Sequence, residues 1–128
     1  MILDFPYIRH RGQYMPLVFL TISRGEKAIS THALVDAGAT VSLFHKDVAE
    51  WLGIDISAGL ELQMEAAVSR FHIHLHQVRL MVGTKSFDAE VGFSTGYRGR
   101  FNIIGRQGFF EQFSVTYDDR RRRLRLET

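Results

Sequence analysis

The stretch ALVDAGATVSLF, residues 33–44, carries an apolar run into an acid, then into Ala-Gly-Ala-Thr, then back into an apolar run. An aspartate leaving a strand often does no more than accept backbone N–H bonds in a tight turn. The residues around Asp36 decide whether it does more.

Upstream, PLVFLTISRGEKAISTHALVD reads as a hairpin. Residues 17–22 are rich in β-formers, SRGEK supplies a turn, and AISTHALV is the second arm. Asp36 stands at the end of that arm. Downstream, VSLF reads as a short strand. HKDVAEWLGI then changes period, which predicts a helix over 46–52. Val48, Leu52 and Trp51 fall on one face, and Gly53 serves as the C-terminal cap.

From Leu60 the strand pattern returns in LELQMEAAV, RFHIHLHQVRLMVG and KSFDAEVGF, with a hairpin turn at Gly83-Thr84. In the middle segment Phe71, Ile73 and Leu75 alternate with His72, His74 and His76. At Gln77 the phase flips to Val78, Leu80 and Val82. Such a flip marks a bulge or a strand that passes from one environment to another. STGYRGR reads as a loop and FNIIG as a short apolar strand. RQGFFEQF has helical spacing, weakened by Gly108. SVTYDDRRRRLRLE reads as a final hairpin turning near DDRR. The expected fold class is all-β with one or two short helices.

The 128 residues suit one domain spanning 1–128, and 45% apolar with 23% charged residues suits an ordinary globular core. The absence of cysteine excludes disulfides and thiolate metal sites. No segment has the ~20 apolar residues of a membrane span, and MILDFPYIRHRG lacks the order of a signal peptide. The default expectation is therefore a cytoplasmic protein without a membrane partner. The net charge of +2 is local: without Arg120, Arg121, Arg122, Arg123 and Arg125 the balance is −3.

The segment LVDAGAT at 34–40, paired with NIIGR at 102–106, resembles the retropepsin family of aspartic proteases, which includes the retroviral proteases and their bacterial and eukaryotic cellular relatives. The order of elements matches too, and the resemblance covers roughly residues 15–128. It implies a retropepsin-like closed barrel and an aspartic endopeptidase with no metal and no cofactor. Asp36 would be the catalytic carboxylate, supported by Ala37, Gly38, Ala39 and Thr40. Ile103, Ile104 and Gly105 would run beside this loop. The motif occurs once and the chemistry needs two carboxylates, so the implied unit is a symmetric homodimer. Two facing carboxylates share one proton. The ionised one takes a proton from water, and the protonated one donates to the scissile carbonyl.

The implied substrate is an extended peptide, held under a flap within residues 59–71 whose tip is Ala66, Ala67, Val68, Ser69 and Arg70. The resemblance departs at Ala37, where the family has Thr or Ser. That hydroxyl braces the two catalytic loops across the dimer axis, and Ala37 cannot supply it. Impaired activity, or a silent peptide-binding module, is the alternative this raises. In retroviral relatives the terminal strands build the dimer interface, which places Val115, Tyr117, Leu124 and Leu126 at or near it.

Two other features carry weaker functional readings. Alternate histidines at 72, 74 and 76 can bind zinc, but they also suit a polar strand face or a pH-sensitive flap. The arginine cluster suits nucleic acid, yet Leu124 and Leu126 alternate with Arg123 and Arg125 as in an ordinary half-buried strand, and no aromatic platform is interleaved. Phe109, Phe110 and Phe113 read as core or dimer contacts.

Overall fold

The computed structural model describes the backbone of residues 1–65 and 70–128, and their side chains apart from those of residues 64, 65, 70 and 71. The Leu-Val-Phe-Leu run forms β4 (Leu17–Arg24), which turns at Gly25 into β5 (Lys27–Val35). Preceding them are β1 (Ile2–Pro6) and a small hairpin of β2 (Ile8–His10) and β3 (Gln13–Met15). After the loop that contains Asp36 come β6 (Leu43–His45) and the helix α1 (Lys46–Leu52). The remaining strands are β7 (Leu60–Glu65), β8 (Arg70–Val82), β9 (Lys85–Ser94), β10 (Asn102–Ile104), β11 (Ser114–Asp118) and β12 (Arg123–Glu127).

Seven strands make one sheet in the order β4-β5-β10-β6-β9-β8-β7, and β8 pairs back onto β4. That pairing closes the sheet into a barrel, which removes most of its exposed edge. β8 makes the closure possible because it is long enough to serve three neighbours. Its first half pairs with β7 from Arg70 to Leu75, its second half pairs with β4 from Arg79 to Met81, and β9 runs along residues 74–82.

The flip of apolar phase in β8 coincides with this change of neighbour. Ile73 is buried in a small cluster with Val41 and Leu43, whereas Val78, Leu80 and Val82 enter the main core with Leu20, Ile22 and Phe44. The flip falls one residue earlier than the sequence pattern indicates, because His76 is itself buried at 7% exposure. Its Nε2 donates to the Ile56 carbonyl at 2.9 Å, and Arg24, which can only donate, faces Nδ1 at 3.3 Å. His72 instead pairs with Glu61 at 2.6 Å on the surface. The three histidines therefore do not form one polar face.

α1 buries Val48, Ala49 and Leu52, and Gly53 caps it in the left-handed conformation at φ +70°. Trp51 departs from expectation. It is exposed, and its indole N–H reaches the Ala28 carbonyl at 3.0 Å. The segment Arg106–Phe110 is a wide turn rather than a continuous helix. Gln107 is extended and Gly108 sits at φ +85°, a conformation that breaks helical bonding. Phe109 and Phe113 are nonetheless core residues, edge-on to Phe87.

β12 lies between β1 and β11 in a separate three-stranded sheet. Its alternation is the one expected of a half-buried strand: Leu124 and Leu126 are fully buried, and Arg123 and Arg125 are exposed. Both leucines belong to the protomer's own core. Several arginines have partners within the protomer. Arg125 pairs with Asp4 at 3.1 Å, Arg121 pairs with Asp118 at 3.2 Å, and Arg122 lies 3.8 Å over the Tyr14 ring.

Candidate active site

β5 and β10 run parallel, with Val35 opposite Ile104. The ladder extends one step further, because the N–H of Asp36 donates to the Ile104 carbonyl at 2.9 Å. The chain then turns sharply, and the Ala39 N–H returns to the Asp36 carbonyl at 3.1 Å. Within that turn the Gly38 N–H donates to Oδ1 of Asp36 at 2.8 Å. The carboxylate is thus fixed by backbone on the loop it leads into, at half-buried depth. Ala37, Gly38 and Thr40 are exposed beside it, and Ala39 is half-buried.

The loop is fastened below by the chain that follows β10. The N–H groups of Arg106 and Gln107 donate to the carbonyls of Ala39 and Thr40, both at 2.8 Å. Ser42 is buried and works in two directions. Its hydroxyl accepts from the Gly105 N–H at 3.0 Å, and its carbonyl accepts from the Gly92 N–H at 2.8 Å. The small residues of the motif permit this density of backbone contact. Thus Ile103, Ile104 and Gly105 do lie against the loop.

A contact from the far end of the chain completes the surroundings. Tyr117, on β11, donates its phenol hydroxyl to the Val35 carbonyl at 2.8 Å. Burial pushes this phenol's pKa up, the N–H of Ala37 donating to it draws it down, and the nearby Asp36 carboxylate raises it again. Nothing in the residue pattern signals this contact: Tyr117 reads as one apolar position in a terminal strand, and its partner lies 82 residues away.

At the end of the seven-stranded sheet, β7 and the first half of β8 form the expected hairpin, with Leu60 and Leu62 exposed on β7. Of its expected tip, Ala66, Ala67, Val68 and Ser69 lie outside the described residues, and of Arg70 only the backbone is described, at the start of β8. Among the described residues no group of three His, Cys, Asp or Glu side chains is placed to hold a metal ion, and no helix is long and apolar enough to cross a membrane.

The geometry offers one chemically able group, a carboxylate with a fixed orientation at a surface of very small residues. A carboxylate so held can accept or donate a proton, but activating water against a carbonyl takes a second acid.

No family model matches the chain, and no curated protein matches it in sequence. Solved structures do match. A retropepsin-like aspartic protease from Rickettsia conorii superposes with a TM-score of 0.66 at 16% identity, over 98% of this chain and 91% of that one. The EIAV protease, in complex with the inhibitor HBY-793, superposes with a TM-score of 0.56 at 14% identity, over 77% of this chain and 88% of that one. The fold is retropepsin-like: a mostly β closed barrel.

Proposed function

We propose that the chain is an aspartic endopeptidase, a single domain over residues 1–128 that works as a homodimer. Asp36 of each protomer contributes one carboxylate to a shared pair. One activates a water and the other protonates the scissile carbonyl. Gly38 orients the carboxylate, and Ile103, Ile104 and Gly105 carry the loop from beneath. The substrate is an extended polypeptide, laid as an added strand between the β7–β8 hairpin and the floor of the site. The exposed Leu60 and Leu62 favour apolar side chains in that peptide. A cytoplasmic setting agrees with the lack of cysteine.

The observation that carries this reading is the Asp36 carboxylate itself. It occurs in one such motif per chain, is fixed by the Gly38 N–H at 2.8 Å, and stands on a retropepsin-like fold.

The test is incubation with an unfolded protein from about pH 4 to 7, alongside Asp36→Asn, with sedimentation of both proteins. Cleavage that disappears in the variant while the dimer persists is the expected result. A folded dimer that binds unfolded chains without cutting them would instead identify a peptide-holding module. A chain that stays monomeric at micromolar concentration, yet cleaves, would overturn the shared pair.

A further inference from the structure

The peptide units around Asp36 can be followed group by group. The Asp36 N–H goes to Ile104, its carbonyl accepts from Ala39, and the Gly38 N–H goes to its side chain. The Val35 carbonyl, in the peptide unit that leads into Asp36, accepts from the Tyr117 phenol hydroxyl at 2.8 Å.

Tyr117 is held firmly enough to act as a clamp. β11 is paired along its length with β12, from Ser114 to Asp118, and β12 is anchored by the buried Leu124 and Leu126. The phenol therefore ties the terminal sheet to the loop that leaves β5. Position 37 is alanine and brings no hydroxyl of its own.

We propose that Tyr117 is the positioning residue of the Asp36 loop, its phenol hydroxyl holding, within one protomer, the carbonyl of the peptide unit that leads into the carboxylate. The loop is then set in each protomer before two of them meet. The inference rests on the protease reading for its catalytic consequence, but the clamp itself does not.

The test is Tyr117→Phe, which keeps the ring and removes the hydroxyl. Amide exchange at Asp36, the N–H of the peptide unit that Tyr117 holds, is expected to quicken about tenfold, the loss of roughly one net hydrogen bond, while amides of Ile22 and Leu80 in the barrel keep their rates. In peptide cleavage kcat is expected to fall about tenfold with KM changed less than about twofold, as for an interaction felt mainly in the transition state. In an active protein, unchanged kcat or unchanged exchange at Asp36 overturns the assignment. Faster exchange throughout the barrel also overturns it, since that is a packing defect. Faster exchange at Asp36 without faster exchange in the barrel, in a dimer that shows no Asp36-dependent cleavage, upholds the clamp and sinks the protease reading instead.

Discussion

Gly105 passes so close to Val41 that a β-carbon on it would stand 2.5 Å from the Val41 carbonyl oxygen, and 2.8 Å from that of Ala39. Both obstacles are backbone, and both belong to the loop that carries Asp36. Gly105→Ala is therefore expected to push this loop off β10 and to cost about 1–3 kcal/mol, the usual range for overpacking a close contact. Urea unfolding measures the cost. A stability within about 0.5 kcal/mol of the parent, the range of ordinary surface changes, would show that the loop can give way.

Asn102 is the polar pin of β10. Its Oδ1 accepts from the His45 N–H at 2.9 Å, and its Nδ2 donates to the His32 carbonyl at 3.1 Å and the Thr31 hydroxyl at 3.2 Å. The side chain is buried and ties three strands together. Asn102→Ala leaves those partners unpaired, and a loss of about 2 kcal/mol is expected from the desolvation they keep. Equilibrium unfolding at neutral pH reads it. A neutral outcome would mean that water replaces the amide.

Leu126 is expected to behave as a core residue of the protomer. Leu126→Ala should cost about 2–5 kcal/mol, the range for truncating a fully buried leucine. Removing residues 119–128 takes away β12 and should yield an unfolded chain rather than a folded monomer. Circular dichroism and calorimetry distinguish the two. A truncated chain that melts cooperatively as a monomer would instead assign this hairpin to the dimer interface.

Alkali should unfold the protein earlier than an ordinary surface would suggest. Tyr7, Tyr97 and Tyr117 all have raised phenol pKa values in the folded state, chiefly through burial, and for Tyr7 also through its hydroxyl donating to Asp119 at 2.7 Å. An unfolded phenol ionises near about 10. Below that pH both states hold the proton and the stabilisation is complete. Above it the unfolded state releases its proton first, so stability falls with rising pH until the folded phenols ionise too. Denaturant midpoints should hold level up to about pH 9 and decline from about pH 10 upward, less steeply in Tyr7→Phe. Parallel curves for the two proteins would remove Tyr7 from the account.

Much of the site was legible because it is local or repeated in pattern. The β4–β5 hairpin, the end position of Asp36, the strand over 102–104 and α1 with its Gly53 cap all follow from spacing and turn chemistry. What stayed hidden depends on partners distant in sequence. Nothing in ILDFP announces a strand until β12 is there to pair with it. His76 looks like its neighbours His72 and His74 until Arg24 and the Ile56 carbonyl enclose it. The spacing of the phenylalanines after Gly105 imitates a helix, but it arises from a turn that points Phe109 and Phe113 into the same core. Tyr117 was noticed for its apolar ring, whereas its contact with the loop is made by its hydroxyl.

The pairing of β1 with β12 has a consequence for the order of assembly. Ile2 stands opposite Glu127, so this ladder joins residues from nearly the two ends of the chain. Contacts of such separation carry the largest loop-closure entropy and are favoured only once the intervening chain is already compact. The barrel must thus be largely formed before the terminal sheet docks. Because Tyr117 arrives with that sheet, the segment bearing Asp36 receives its last tie at the final step of folding. A chain still being synthesised carries Asp36 before it has the tie that holds this segment.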